Sequence, residues 1–188
     1  YSHFALSCLA ALHSAPDDIR LCDQYFRKSG QHIDLDFVHL NALLRGQLLL
    51  RFIEMPGLVR RGILRGSTLG KALLRFSPDF DRKALKALEE WRSRDGAYHH
   101  SEKNADHGKA YAAFLAVQAR LDHGDVVDDS EAILSSIASL ESSDGGVANM
   151  AEMKSGTTTA TGAAIMLRHY LGATQKDSMI EWLAAQVA

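Results

Sequence analysis

The second half of the chain repeats itself at a spacing of 49 residues, and a repeat of that length constrains the architecture more than any single motif does. Two helices with apolar residues at helical spacing each lead to an Asp-Gly pair, at Asp95-Gly96 and at Asp144-Gly145. The apolar positions that recur are Ala84, Leu88 and Trp91 in the first copy and Ile133, Ile137 and Leu140 in the second. A spacing that holds at all of these positions predicts two copies of one structural unit.

We expect the same register to continue through the helix that follows each Asp-Gly turn. The residues that correspond across the 49-residue spacing are Phe114, Val117 and Leu121 in the first copy and Ala163, Met166 and Tyr170 in the second. The glycines that end these helices, Gly124 and Gly172, are only 48 residues apart, so we place a one-residue deletion at the closing turn. A third copy is expected to open with residues of the same pattern, Met179, Ile180, Trp182 and Leu183.

Each copy therefore consists of a helix, an Asp-Gly turn, a polar loop, a second helix and a closing glycine. Glycine adopts a positive φ angle without steric cost, and the aspartate before it can accept hydrogen bonds from the backbone that reverses direction there. The second helices are rich in small residues, which are Ala110, Ala112, Ala113 and Ala116 in one copy and Ala160, Gly162, Ala163 and Ala164 in the other. Because small side chains allow close approach from several sides, we expect these second helices to be the inner, more buried ones.

The repeats and a composition with only three prolines predict an all-α fold of repeated helical hairpins that form a partial or open α/α toroid. We assign residues 1–188 to a single domain. Residues 1–53 are expected to be a degenerate repeat with helices at about 4–12, from Ile19 to Gly30, and at about 35–53. Residues 54–80 form a basic insert, and residues 81–188 contain two clear repeats and the start of a third.

The net charge of −2 argues against a nucleic-acid partner, because attraction to phosphate requires a basic excess. Residues 51–75 are nevertheless cationic, with six basic residues and one acidic residue, Glu54. Leu, Val and Ile residues lie among these bases, so the segment could contact an anionic membrane surface peripherally. A surface helix with a solvated basic face is the simpler interpretation.

The expected location of the protein is the cytoplasm. Cys8 and Cys22 match no zinc or redox pattern and are expected to be free thiols. No apolar run is long enough to span a bilayer. Because the sequence begins at Tyr1, a targeting peptide removed before that residue stays open as an alternative.

The residues of these turns resemble those of the prenyltransferase and squalene-cyclase repeat family. The resemblance is carried by Leu140-Glu141-Ser142-Ser143-Asp144-Gly145-Gly146, by Thr159-Ala160-Thr161 and by Leu171-Gly172, and a second time by Trp91-Arg92-Ser93-Arg94-Asp95-Gly96-Ala97-Tyr98. It covers residues 80–188 and, faintly, residues 1–53. The resemblance implies an α/α toroid with a central cavity between helix ends and, if the protein is catalytic, a transferase or cyclase activity.

The zinc site of protein prenyltransferases is incomplete in this sequence. The family holds zinc with an aspartate and a cysteine at the start of one inner helix and with a histidine on a later helix. The matching start here is Asp106-His107-Gly108-Lys109-Ala110-Tyr111, in which Ala110 occupies the cysteine position. The later helix begins with Thr157-Thr158-Thr159 and has no histidine there, so the resemblance does not extend to protein prenylation.

The acidic motif of class II cyclases, Asp-x-Asp-Asp, is also incomplete. Asp34-Leu35-Asp36-Phe37 keeps the first and third positions but has phenylalanine at the fourth. A carboxylic acid in this motif would protonate an alkene, whereas a helix N-cap explains Asp34 and Asp36 more simply. Asp125-Val126-Val127-Asp128-Asp129 has the wrong spacing.

A loop from Tyr98 to His107 holds three histidines and two acidic residues, namely His99, His100, His107, Glu102 and Asp106. Neutral imidazoles and carboxylates could bind a divalent metal or relay protons, although their spacing matches no helical ligand pair. We therefore identify no cofactor, and a hydrated surface loop is the simpler interpretation. The resemblance places this loop beside the mouth of the central cavity.

Three functions remain open from the sequence. The first is a prenyltransferase-like or cyclase-like protein that binds an apolar, isoprenoid ligand. The second is a non-catalytic helical-repeat scaffold for a protein partner, and the third is a metal-dependent hydrolase at the histidine loop. An apolar, aromatic-lined concavity would favour the first, and a concavity filled by Leu and Met side chains would favour the second.

For the first function, the candidate residues fall into two groups. The candidate catalytic residues are Asp34, Asp36, Asp106 and His107. The candidate ligand-binding residues are Tyr111, Thr157 and Thr159, together with Arg60 and Arg61 for a diphosphate group. For Thr157, capping of the following helix is the simpler interpretation.

Overall fold

The computed structural model describes residues 2–12, 17–30, 35–55 and 78–186, and its regular structure is helical throughout. Within these ranges there are eight α-helices and no β-strand, which confirms the predicted all-α class. The helices are α1 (Ser2–Ala11), α2 (Ile19–Gly30), α3 (Phe37–Glu54), α4 (Pro78–Glu89), α5 (Ala110–Asp122), α6 (Ser130–Ala138), α7 (Thr158–Tyr170) and α8 (Asp177–Ala185). None of these helices combines the length and apolar character that crossing a bilayer requires.

The chain divides into two compact units. The first consists of Tyr1–Leu88 with Ala119–Val126, and the second consists of Glu89–Gln118 with Val127–Ala188. The basic insert predicted at residues 54–80 lies mostly outside the described residues, since positions 56–77 are not among them. The closure of the hairpins into an open toroid stays a prediction.

In the first unit, α1 and α2 pack against α3. Their shared core consists of the buried residues Leu6, Phe26, Leu43, Leu50 and Ile53. Each such side chain stabilises the fold by roughly 1.5–3 kcal/mol through burial. Gly46 permits this packing, because the ring of Phe26 occupies the space that a Cβ atom at position 46 would need. The three helices predicted for residues 1–53 are confirmed, within a few residues at their ends.

The two predicted repeats have matching local geometry. All six apolar positions that recur in α4 and α6, and just after them, are buried. Short extended pairs follow at the same spacing, Arg92 with Tyr98 and Glu141 with Val147. The glycines of the two Asp-Gly turns have φ angles of +92° and +91°, the left-handed conformation that favours glycine.

The predicted register of the second helices is wrong by one residue. The backbone N–H of Gly108 donates to Asp95, and its counterpart is Gly156, which donates to Asp144. These glycines are 48 residues apart, so the deletion lies in the polar loop before the second helix, not in the closing turn. In this register α5 and α7 have equal length, and Arg120 corresponds to Arg168.

The Ala-rich second helices are buried, as predicted. In α5 the buried residues are Ala110, Ala112, Ala113, Ala116, Val117, Ala119 and Arg120. In α7 they are Ala160, Thr161, Ala163, Ala164 and Leu167. Helix α7 packs against both α6 and α8, and in α8 Met179 is buried whereas Ile180 is 46% exposed, so the opening of a third copy stays a prediction.

Candidate functional site

Each Asp-Gly turn is tied to the start of the helix that follows it. Both carboxylate oxygens of Asp95 lie 3.1 Å from the backbone nitrogen of Gly108, which donates to them across the polar loop. The hydroxyl of Ser93 also donates to Asp95, at 2.6 Å, and that of Ser136 on α6 donates at 2.8 Å. Asp95 therefore joins its own loop to the first helix of the next repeat.

Asp144 repeats this arrangement one unit later. It accepts from the hydroxyl of Ser142 and from the backbone N–H groups of Gly146 and Gly156. The side chain of Trp182, on α8, also hydrogen-bonds to Asp144. These bonds lower the pKa of the Asp144 carboxyl below 3.8, the Ser142 hydroxyl most strongly.

The loops fixed by the two aspartates enclose a polar cleft with a volume of about 340 Å³. Its lining comes from the polar loops of two consecutive repeats. The lining residues are His99, Glu102, Ala105, Asp106, His107, Gly108 and Lys109 from the first loop and Met150, Ala151 and Glu152 from the second. The cleft is thus a junction between two equivalent loops, and charged side chains border it on both sides.

His99 is held in one tautomer at the edge of this cleft. The backbone N–H of Glu102 donates to its Nδ1 atom at 3.0 Å, which assigns the proton of the neutral ring to Nε2. The ring stacks on His100, with 5.6 Å between centroids and 15° between planes. Burial lowers the pKa of His99, and the charges of Lys109 and His100 lower it further. His99 is therefore a neutral hydrogen-bond donor at neutral pH.

We expect His99 and His100 both to titrate below 6.5 in the folded protein, since burial and then the charge of Lys109 lower each pKa. The unfolded chain then binds more protons, so the stability gained from the neutral rings is complete above pH 6.5 and is lost as the pH falls toward the folded pKa values. Lys109→Gln should raise both pKa values. The imidazole C2 protons, followed by NMR against pH, measure them.

The control for this titration is Lys154→Gln, which removes an exposed lysine that does not line the cleft. It should leave both midpoints where they are. Midpoints above 6.5, or midpoints that do not respond to Lys109→Gln, would contradict this account of the two histidines.

A second feature is an apolar stripe on the second helices, formed by Tyr111 and Phe114 of α5 and by Met166 and Tyr170 of α7. The rings of Phe114 and Tyr170 stack with 6.3 Å between centroids, and Tyr111 lies 6.1 Å from Phe114. Tyr111 is 40% exposed and Met166 is 38% exposed. Gly162 shares the face of Met166 and Tyr170, and a Cβ atom there would meet nothing within 4 Å. The stripe is therefore partly exposed to solvent.

The predicted catalytic residues lie in different places. Asp106 and His107 both line the polar cleft, where Asp106 forms an ion pair with Arg94 at 2.8 Å. His107 is exposed, with its Nδ1 atom 3.7 Å from Asp95. Asp36 is the N-cap of α3 and accepts from the backbone N–H of His39 at 2.8 Å.

The remaining candidates are divided between the helices and the part of the chain that is not described. Asp34, Arg60 and Arg61 lie outside the described residues. Thr157 is the N-cap of α7 and accepts from the backbone N–H of Ala160, as the simpler interpretation predicted. Thr159 is exposed in the first turn of α7, and the stripe contains Tyr111.

The histidine loop does not gather a set of metal ligands. Within the described ranges, no three or more His, Cys, Asp or Glu side chains are placed to hold a metal ion. His99 and His100 face each other as stacked rings, and Asp106 is engaged by Arg94. The hydrolase hypothesis required at least three of the loop residues to converge, and that condition is not met there.

Sequence reasoning missed three residues that shape the cleft. Lys109 and Glu152 border it from opposite loops, and Asp95 fixes the first loop through Gly108. A signal was present in the sequence, because a Ser-x-Asp-Gly motif recurs in both copies and a glycine precedes each second helix by two residues. The motif and the glycine together indicate a bond across the loop.

Comparisons of the chain with protein-family models, with curated proteins and with solved structures give no match. The fold and the cleft define an all-α protein with a hairpin repeat. The likeness of its turns to the prenyltransferase and squalene-cyclase repeat family stays a hypothesis.

Proposed function

We propose that the protein binds an apolar ligand of the isoprenoid class on the apolar stripe of α5 and α7. The observation that carries the proposal is the contact of Tyr111, Phe114 and Tyr170 on a surface that is only partly covered. Aromatic rings offer a large apolar area with little conformational entropy to lose on binding. A partly exposed aromatic surface of this kind supports ligand binding over the scaffold hypothesis.

The proposal concerns binding, and any chemistry would follow from it as a transferase or cyclase reaction. Asp106 and His107 precede α5 by a few residues, so they are the predicted catalytic groups nearest to the stripe in sequence. The carboxylate of Asp106 is paired with Arg94 and lines the polar cleft, so it is not part of the stripe. The proposed function therefore rests on the stripe alone.

Gly162→Glu is expected to weaken binding of farnesol at least about tenfold, a loss of about 1.4 kcal/mol. The open space above Gly162 accommodates the new side chain, but a carboxylate on the stripe must lose hydration when an apolar ligand covers it. Displacement of a fluorescent farnesyl analogue measures the affinity. A straight-chain alcohol with the same number of carbons should bind more weakly than farnesol.

The matched control is Ser135→Glu, which adds the same charge at an exposed position of α6 away from the stripe. It should bind farnesol as the wild type does, and both variants should retain the helical circular dichroism of the wild type. Equal affinity of Gly162→Glu and Ser135→Glu for farnesol would refute the stripe as the binding surface. Equal affinity for the two alcohols would leave an apolar site without isoprenoid preference.

A helical-repeat scaffold is the second candidate, favoured by the bonds that join consecutive repeats. Ser136 of α6 and Trp182 of α8 each donate to the aspartate of the preceding turn. Arrays of helical repeats are held together by such nearest-neighbour contacts and present extended surfaces to protein partners. The scaffold becomes the better proposal if neither alcohol binds to the folded wild type.

A further inference from the structure

The polar cleft between the two loops has the dimensions of a small-molecule site. Its volume of about 340 Å³ falls at the lower end of the range for ligand pockets, roughly 300–1,000 Å³. It is bordered by charged and polar side chains, in contrast to the apolar stripe. The cleft therefore calls for a different ligand, whose binding does not depend on the function proposed for the stripe.

Charged groups around the cleft differ in whether they are paired. Away from its lining, Lys103 pairs with Glu90 at 2.7 Å. Lys109, Glu102 and Glu152 line the cleft, and their side chains have no hydrogen-bond or ion-pair partner in the part of the chain that the structure describes. One cation and two anions thus remain available to a ligand at the same cavity.

The backbone around these groups is fixed before any ligand binds. The N–H of Lys109 donates to the carbonyl of Tyr98 at 2.8 Å, and that of Arg94 donates to the carbonyl of Ala105 at 2.8 Å. Gly108 is held by Asp95. A loop with an ordered backbone loses less entropy on binding, which favours a ligand that contacts this side of the cleft.

The signs of these three charges limit which charged groups a ligand of the cleft can carry. A simple anion would be attracted by Lys109 but repelled by both glutamates, and a simple dication would be repelled by Lys109. A ligand with one carboxylate and two cationic groups complements all three. We propose that the cleft binds a basic amino acid, with its carboxylate at Lys109 and its two cationic groups at Glu102 and Glu152.

Three probes of nearly the same length test this assignment by isothermal titration calorimetry on the full chain. L-Lysine carries all three charges, cadaverine lacks the carboxylate, and L-norleucine lacks the side-chain cation. The wild type should bind L-lysine at least about tenfold more tightly than either of the other two, which corresponds to about 1.4 kcal/mol. Free L-arginine, used as the probe instead of L-lysine, should likewise bind more tightly than cadaverine or L-norleucine.

Two substitutions at the cleft then assign the contacts. Lys109→Gln should abolish the preference for L-lysine over cadaverine, because the carboxylate loses its partner, while cadaverine binds as well as before or better. Glu152→Gln should weaken L-lysine about tenfold and bring its affinity close to that of L-norleucine. A purely structural effect of either substitution would weaken all the probes alike.

The controls are Lys154→Gln and Glu131→Gln, which remove the same charges from exposed positions outside the cleft. Both should bind L-lysine as the wild type does. The proposal is overturned if millimolar L-lysine does not bind, if cadaverine or L-norleucine binds equally well, or if the controls lose as much affinity as the cleft variants. NMR shifts of Gly108 on addition of L-lysine would place the bound ligand at this cleft.

Discussion

Asp95→Ala is expected to lower the free energy of unfolding by about 3 kcal/mol, the largest effect we predict for a single substitution. The carboxylate is 23% exposed and accepts hydrogen bonds from Gly108, Ser93 and Ser136. Alanine leaves these three donors and a fourth, the backbone N–H of Ala97, without their acceptor, and a hydrogen bond to a charged group contributes about 1.5–3 kcal/mol. The expected loss stays below the sum because water can reach part of the site.

Urea unfolding followed by circular dichroism measures this loss, and the unfolding temperature should fall by roughly 6–12 °C. The matched control is Asp106→Ala, in the same loop. Its carboxylate is 72% exposed and pairs only with Arg94, so that substitution should cost no more than about 1 kcal/mol. Equal losses for the two variants would show that Asp95 does not hold the loop.

The loss of stability caused by Asp95→Ala should also depend on pH. Burial raises the pKa of this carboxyl, but the hydrogen bonds from Ser93, Gly108 and Ser136 outweigh it and hold the pKa below 3.8. The ionised carboxylate therefore contributes stability that is complete above pH 3.8 and is lost as the pH falls through the folded pKa. The difference between wild type and Asp95→Ala should shrink over that interval, whereas a difference that stayed constant would exclude the carboxylate charge as its source.

Asp144→Ala should also lower the free energy of unfolding, but by less than Asp95→Ala does. Its hydrogen-bond donors are equivalent, but its surroundings are more exposed, so water replaces the lost acceptor more readily. Trp182 provides a local reporter, because its side chain hydrogen-bonds to Asp144. The tryptophan emission of the folded protein should change in this variant.

The helices of this fold could be predicted from the sequence because one face of each helix is buried. Apolar residues therefore recur along the sequence at the spacing of a helix. Leu88 and Ile137 are buried at equivalent positions, and the turns that follow need a left-handed glycine in each copy. The register of the second helices could not be fixed in the same way. Runs of alanine look alike when shifted by one residue, so the 49-residue spacing aligns Phe114 with Ala163, whereas its counterpart in the structure is Gly162.

The candidate site was predicted only in part, for a related reason. The family resemblance placed the loop that contains Asp106 and His107 beside a central cavity, and in the structure both residues line the polar cleft. The contribution of Glu152 depends on two loops of different repeats meeting in space, which no local pattern records. The tautomer of His99 depends on the backbone N–H of Glu102, three residues later. Where that N–H points is determined only by the folded loop.

Gly156→Ala is the second large effect and is expected to lower the free energy of unfolding by about 2–3 kcal/mol. A Cβ atom at this position would lie 2.7 Å from the Cα atom of Gly146 and 3.0 Å from the backbone nitrogen of Val147. These are backbone atoms of the adjoining turn, so no side chain can rotate away to make room. The turn itself must move, which also strains the bond from Gly156 to Asp144.

The same substitution at Gly162 should have the opposite sign, which makes it a matched control for Gly156→Ala. Gly162 lies within α7, and a Cβ atom there meets nothing within 4 Å. Alanine in a helix is favoured over glycine by roughly 0.5–1 kcal/mol, so Gly162→Ala should stabilise the protein by about that amount. The two variants add one methyl group each and should therefore differ by about 3 kcal/mol in urea unfolding. If Gly156→Ala were as stable as Gly162→Ala, Gly156 could not be in close backbone contact with the Asp-Gly turn of its own repeat.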